Sequence, residues 1–179
     1  KVSRMTIIVS GTGIAGMSAA MAAANAGHEV TLCGHLLSPP PAGGIQLAPN
    51  GWQALEKLCL FDAAVKRAIQ LDHIIVRDLH NGATLTRLEL PDRYASIGRA
   101  DLLDILQSSV AKHSAIAHRP AQISQAVPHN DGVELVLDDG RRLKAEAFIA
   151  ADGVDGIGRS LVIGAASGEM RHTNRLAMR

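Results

Sequence analysis

The chain has 179 residues, enough to bury one good core and part of a second. With 47% hydrophobic residues, 20% charged residues and a net charge of +1, it is neither a disordered chain nor one with the basic footprint of a nucleic-acid or anionic-membrane binder. The longest small-apolar run, residues 14–24, is shorter than the roughly 20 residues that span a bilayer, and the apolar start reads as folded strand and helix rather than a leader.

Residues 5–10 (MTIIVS) form a β-branched apolar run of the kind that fills a central parallel strand. Three glycines follow, then an Ala-rich segment, 17–26, predicted helical and closed by Gly27, and a second strand over 28–33 (HEVTLC). Strand, turn, helix and strand within about 30 residues make a right-handed βαβ unit. Residues 38–44 (SPPPAGG) read as a shaped loop, since proline removes backbone donors and glycine frees the chain.

Asn50 is placed to cap a helix through Trp52, Leu55 and Leu58, and Asp62 a shorter one through Val65 and Ile69. Segments 73–79 and 83–90 flank Asn81–Gly82, a hairpin-forming pair, so residues 71–98 are predicted as an antiparallel excursion. Asp101 precedes a helical pattern of Leu102, Leu103, Leu106 and Val110, with Asp104 in the first turn where the helix dipole favours an acid. Strands over 121–127, 132–137 and 141–144, joined by HNDG and DDG turns, form a small antiparallel layer, and 145–150 is again a buried apolar strand. The expected class is α/β, a Rossmann-like parallel sheet plus that antiparallel layer, with no linker cleanly separating two domains.

Gly11, Gly13 and Gly16 satisfy G-x-G-x-x-G directly after a strand and at the mouth of a helix. That pattern serves a tight turn, close backbone approach to a pyrophosphate and close helix packing, with the helix N-terminus facing the anion. An acid at the end of the second strand ordinarily accepts the adenosine ribose hydroxyls; here that place falls on Gly34, followed by His35. Read as a lost acceptor, Gly34 costs one hydrogen bond, and restoring the acid as Gly34→Glu is expected to tighten binding by a similar amount. Asp152–Gly153 follows a buried strand, at the sheet edge where doubly wound folds collect ligands. Cys33 and Cys59, isolated and without CxxC spacing, point to packing in a reduced, cytoplasmic setting. The scattered histidines lack metal-ligand spacing, so no metal is assigned.

At this point the chain resembles the FAD-dependent aromatic hydroxylases, a group that includes para-hydroxybenzoate, salicylate and 3-hydroxybenzoate hydroxylases. The resemblance rests on three segments in order: the glycine fingerprint; AGGIQLAPNGWQALEKLCL, residues 42–60; and EAFIAADGVDGIGR, residues 146–159, with Glu146, Ala150–Gly153 and Arg159 at the matching positions. It implies a domain that binds FAD within an NAD(P)H- and O2-using monooxygenase acting on a small aromatic or heteroaromatic substrate. Gly11, Gly13, Ile14 and Ala15 are then expected at the FAD pyrophosphate, and Gly34 and His35 near the adenosine ribose. Arg99 is expected on the diphosphate side, Ile123 against the adenine through its backbone, and Asp152 and Gly153 in the pyrophosphate region, with an effect on use of NADH or NADPH.

Beside these stand blander readings: Ile123 as core, the commoner role for such a residue, Arg99 as a solvated helix-start residue, Asp152–Gly153 as an ordinary turn, and Gln46 as either a ligand contact or a surface polar residue. The match covers the amino-terminal half of such a protein, so residues 1–179 are expected to be an FAD-binding domain incomplete relative to the family and inactive alone. No catalytic residue is named, and Gly156 stands where serine is common. A non-enzymatic dinucleotide-binding protein and an FAD-dependent reductase are the alternatives.

Overall fold

The computed structural model describes residues 3–36, 43–164 and 173. The amino-terminal βαβ unit is β1 (Thr6–Ser10), α1 (Ile14–Asn25) and β2 (Glu29–Cys33). Then come β3 (Gly44–Leu47), α2 (Pro49–Lys57), α3 (Phe61–Val65), β4 (Ile69–Gln70), β5 (His73–Arg77), β6 (Thr84–Glu89) and β7 (Ala95–Gly98). The remainder is α4 (Arg99–Lys112), β8 (Ile116–Arg119), β9 (Ile123–His129), β10 (Gly132–Leu137), β11 (Arg142–Ala145), β12 (Ala147–Ala150) and α5 (Ile157–Ile163). The chain falls into two compact units, one of residues 1–39 and 106–179 and one of residues 40–105.

In the first unit a parallel sheet has the order β12-β1-β2-β8. Its central strand β1 is buried over Ile7, Ile8 and Val9, as expected of a strand covered on both faces. Ile8 points into a cluster with Cys33, Ala121, Ile123, Leu135, Leu137 and Ala145, so the antiparallel layer β11-β10-β9 closes that face. Met17, Ala20, Met21 and Ala24 of α1 are buried. Ile7 and Val9 lie on the strand face opposite Ile8 because strand side chains alternate. Glu146 clamps the entry of β1, its Oε2 accepting the Thr6 N–H at 2.8 Å.

The second unit holds an antiparallel sheet, β3-β7-β4, with α2, α3 and the β5–β6 hairpin. Trp52 meets Phe61 edge to face with ring centroids 5.4 Å apart, and Arg93, paired with Glu56, lies over the Phe61 ring. The hairpin predicted around Asn81–Gly82 is present, its β5 and β6 side chains largely exposed.

Several expected boundaries moved. Helix α1 begins at Ile14, because the fingerprint glycines lead directly into it, and Gly27 follows its last turn with φ +94°. Asn50 does not cap α2: Pro49 occupies the first turn, where its fixed φ suits a helix start, and Ala48 is the cap residue. Asp62 sits inside the first turn of α3 after the cap residue Leu60, and Ile69 belongs to β4. Arg99 is the first residue of α4 rather than its predecessor, and Asp101 lies in that helix's first turn. Strands β3, β4, β7 and β8 were not anticipated, nor was α5. Residues 38–42 of the expected loop and nearly all of the carboxyl-terminal stretch lie outside the described residues.

Candidate functional site

The carboxyl ends of β1, β2 and β12 open onto a groove of about 530 Å³ in the first unit, within the size range of small-molecule sites. Its floor is the fingerprint turn. A Cβ on Gly11 would stand 2.2 Å from the Ala151 carbonyl oxygen, and its φ of +97° favours glycine, so no side chain fits there. A Cβ on Gly16 would lie 1.8 Å from the Gly11 oxygen, which is how α1 comes so close to the turn. At Gly13 a Cβ would meet nothing within 4 Å, so that glycine is not required by the protein's own packing.

Gly13 is the cap residue of α1 and no side chain caps the helix, leaving its first N–H groups, those of Ile14 and Ala15 among them, to an outside acceptor. This end carries the positive pole of the helix dipole and suits an anion. Ser10, at the end of β1, is 3% exposed and lines the groove, yet its Oγ has no hydrogen-bond partner among the described residues. An orphaned hydroxyl, an uncapped helix and an open position at Gly13 together fit a phosphate-bearing ligand.

At the far end of β2 the backbone is specialised. Gly34 has φ +142°, its N–H donates to the Arg119 oxygen at 3.0 Å, and its carbonyl accepts the Nε2–H of His118 at 2.9 Å. A Cβ there would come 3.1 Å from Cγ2 of Thr12, whose own hydroxyl donates to the His35 oxygen at 2.6 Å. The sequence reading of Gly34 as merely a missing acid is therefore corrected: the backbone conformation itself calls for glycine. Cys33 forms part of the same wall, and burial pushes its thiol pKa up, partly offset by the Arg119 and Arg141 guanidinium groups.

The opposite wall is formed by Ala151, Asp152 and Gly153. The Asp152 carboxylate turns back toward α5, its Oδ2 accepting the Gly158 N–H at 3.4 Å. A Cβ on Gly156 would stand 2.1 Å from Asp152 Cγ, so serine does not fit at 156 with Asp152 in this orientation. Arg159 lines a smaller groove of about 410 Å³ with Phe148, Leu161 and the same Asp152–Gly153 pair.

Of the residues singled out from sequence, Gly11, Gly13, Gly34, His35, Ile123, Asp152 and Gly153 line the one groove, and Ile14 and Ala15 open the helix at its floor. Arg99 is not among the lining residues; it starts α4 in the second unit, its N–H donating to the Gly43 oxygen. Gln46 lies in β3, its Oε1 accepting the Tyr94 hydroxyl at 2.9 Å. Ser10, Thr12 and Gln122 also line the groove and were missed, although each adjoins a residue that was named. A comparable depression of about 590 Å³ beside the 129–133 turn carries no fingerprint and no helix terminus. Among the described residues no group of His, Cys, Asp and Glu is arranged to hold a metal, and no helix is long and apolar enough to cross a membrane.

No family model matches the chain. Among characterised proteins it is 36% identical over 174 residues to a 3-amino-4-hydroxybenzoate 2-monooxygenase of Streptomyces platensis, covering 90% of this chain and 42% of that protein. It is 30% identical over 171 residues to the 3-hydroxybenzoate 6-hydroxylase of Klebsiella oxytoca, covering 89% and 43%. Among solved structures, HpxO of Klebsiella pneumoniae, complexed with FAD, aligns with a TM-score of 0.75 at 25% identity, covering 90% of this chain and 43% of that one. FqzB aligns with a TM-score of 0.79 at 24% identity, which speaks to the fold alone. The chain is homologous to FAD-dependent aromatic hydroxylases, and it spans about two-fifths of the length of the relatives it matches. The expected α/β class, a parallel sheet with small antiparallel sheets, is what the structure has.

Proposed function

We propose that this chain is the FAD-binding part of a monooxygenase that uses NADH or NADPH and O2 to hydroxylate a small aromatic acid or a related ring. The observation that carries the reading is the uncapped N-terminus of α1, with Gly13 open beside it, at the carboxyl edge of a parallel sheet. Two hydroxybenzoate-type monooxygenases among the relatives and an FAD complex among the structural neighbours support the choice of cofactor and substrate class.

In this reading the N–H groups of Gly13, Ile14 and Ala15 hold the pyrophosphate, and Gly11 keeps the turn low enough for it to approach. His35 and the Gly34 backbone border the adenosine ribose, and Ile123 lies against the adenine. Gly153 supplies backbone on the opposite wall, while Asp152 holds that wall to α5. FAD, when bound, supplies the redox and oxygen chemistry; the described residues bind it, orient it and shield its phosphates from water.

Titration of the purified chain with FAD, followed by flavin fluorescence, tests this. Saturable binding, with FMN binding far more weakly because it lacks the adenosine half, is the expected result. Absence of binding to FAD overturns the reading. The same preparation is expected to show no NADH or NADPH oxidation coupled to a hydroxylated product.

A further inference from the structure

The ribose end of the groove lacks the acid that ordinarily receives the ribose hydroxyls, and Gly34 is a poor place for it, since φ +142° and the nearby Thr12 strain any side chain there. A carboxylate nevertheless stands beside this point, brought by a different element. Asp138 follows β10 in the antiparallel layer, and its Oδ2 lies 4.0 Å from Nε2 of His35, the residue after Gly34. Its backbone N–H donates to the Gln122 oxygen at 2.8 Å. Asp138 is not itself a lining residue, but its backbone is tied to Gln122 and its carboxylate stands beside His35, both of which line the groove.

Two adjacent carboxylates differ here. Asp139 is engaged by Arg141, whose Nε lies 2.7 Å from Asp139 Oδ2, and that pairing holds the Asp139 carboxyl below its usual range. Asp138 accepts no hydrogen bond from any described residue, the His35 separation is too long for one, and its side chain is 47% exposed. Asp138 also acts on the Arg141 guanidinium through space, yet both of its oxygens keep their hydrogen-bond acceptor capacity, and a vicinal diol needs two such acceptors.

Resting on the FAD reading above, we infer that Asp138, beside His35, replaces the absent acid of β2 as acceptor for the ribose hydroxyls of the adenosine half. A carboxylate supplied from the antiparallel layer accepts the same hydroxyls as one supplied by β2, and it leaves Gly34 free to form its turn. The rival use of this corner is a 2′-phosphate held by Arg119 and Arg141, both close enough to act on the Cys33 thiol.

Binding of ADP, 2′-deoxy-ADP and 2′,5′-ADP to the purified chain and to Asp138→Asn and Asp139→Asn decides between them. The parent chain is expected to bind ADP about tenfold more tightly than 2′-deoxy-ADP, the scale of one hydrogen bond to a charged acceptor. Asp138→Asn removes most of that preference, and Asp139→Asn preserves it. Because the readout is a ratio between two ligands on the same protein, a general loss of stability does not mimic it. An Asp138→Asn chain that still discriminates as the parent does overturns the inference, as does tighter binding of 2′,5′-ADP than of ADP. A parent chain that binds neither FAD nor ADP overturns the site reading with it, whereas binding with the preference intact in Asp138→Asn sinks this inference alone.

Discussion

The two ends of the groove solve the same problem by opposite routes. At the phosphate end the motif is local: Gly11, Gly13 and Gly16 lie within six residues and Gly16 is required by the Gly11 oxygen at 1.8 Å, with one distant residue, Ala151, whose oxygen at 2.2 Å requires Gly11. At the ribose end the parts come from four places: Thr12 after β1, Gly34–His35 after β2, His118 and Arg119 in β8, and Asp138 after β10. A short motif suffices where the ligand meets backbone at one turn. On the proposed reading, ribose hydroxyls that need side chains meet ones drawn from distant segments.

The sharpest way to break that comparison is to add a methyl group at each glycine of the fingerprint. Gly16→Ala drives Cβ into the Gly11 carbonyl, and a loss of about 3 kcal/mol or more is expected from backbone that has nowhere to move. Gly13→Ala meets open space and is expected to leave the melting temperature nearly unchanged while weakening FAD binding, since only a ligand fills that space. Thermal denaturation beside FAD titration separates the two. Equal losses of stability at both positions would mean that Gly13 also serves the fold and that no open space lies beside it.

This division also explains what was legible in the sequence. Local signals carried β1, α1, β2 and the fingerprint, because an apolar run, three glycines and an Ala-rich helix state their geometry within one segment. Strand β8 was missed because it is an edge strand of alternating small, basic and half-exposed residues, Ile116–Arg119, without the apolar run of its neighbours. The β3-β7-β4 sheet was missed because its strands are two to four residues long. Asn50 looked like a cap because a side chain's capping ability is visible in sequence, while the competing choice made by Pro49 is a matter of backbone. Gly34 was read as a subtraction, since no sequence shows a φ angle. Asp138, one of two aspartates in a DDG turn, carried no sign of its place beside His35.

Gly34 gives the next prediction, opposite in sign to the one its sequence position suggests. Holding a non-glycine residue at φ +142° costs about 1–3 kcal/mol, and the added Cβ also presses on Thr12. Gly34→Ala and Gly34→Glu are therefore both expected to lower stability, and Gly34→Glu to fail to tighten FAD binding. A Gly34→Glu chain that melts like the parent and binds FAD more tightly would show that this turn adopts an ordinary conformation and that the missing acid was the whole story.

Thr12 links the two ends, lining the groove beside the fingerprint turn while its hydroxyl donates to the His35 carbonyl oxygen at 2.6 Å. Thr12→Val keeps the shape and deletes that bond, so a loss of about 1 kcal/mol is expected, with Thr12→Ser retaining most of the stability. Should the two variants melt alike, the hydroxyl contributes nothing and the ribose turn stands without it.

The smallest expected effect is a pH dependence at Cys33, the buried thiol in the wall next to Gly34. Burial raises its pKa in the folded chain above that of the unfolded chain, so the folded state keeps this proton while the unfolded state releases it. Its contribution to stability is constant below the unfolded thiol's titration range, near 8.5. It declines as pH rises from there through the folded value. The parent is thus expected to lose melting temperature more steeply than Cys33→Ala on the alkaline side, and the two curves to run parallel below neutrality. Iodoacetamide adds a second reading, since exposed Cys59 should alkylate in the folded chain while Cys33 stays protected. If Cys33 reacts as fast as Cys59, the wall of the ribose end opens in solution, and the dispersed contacts of Thr12, Gly34 and His118 do not hold it shut.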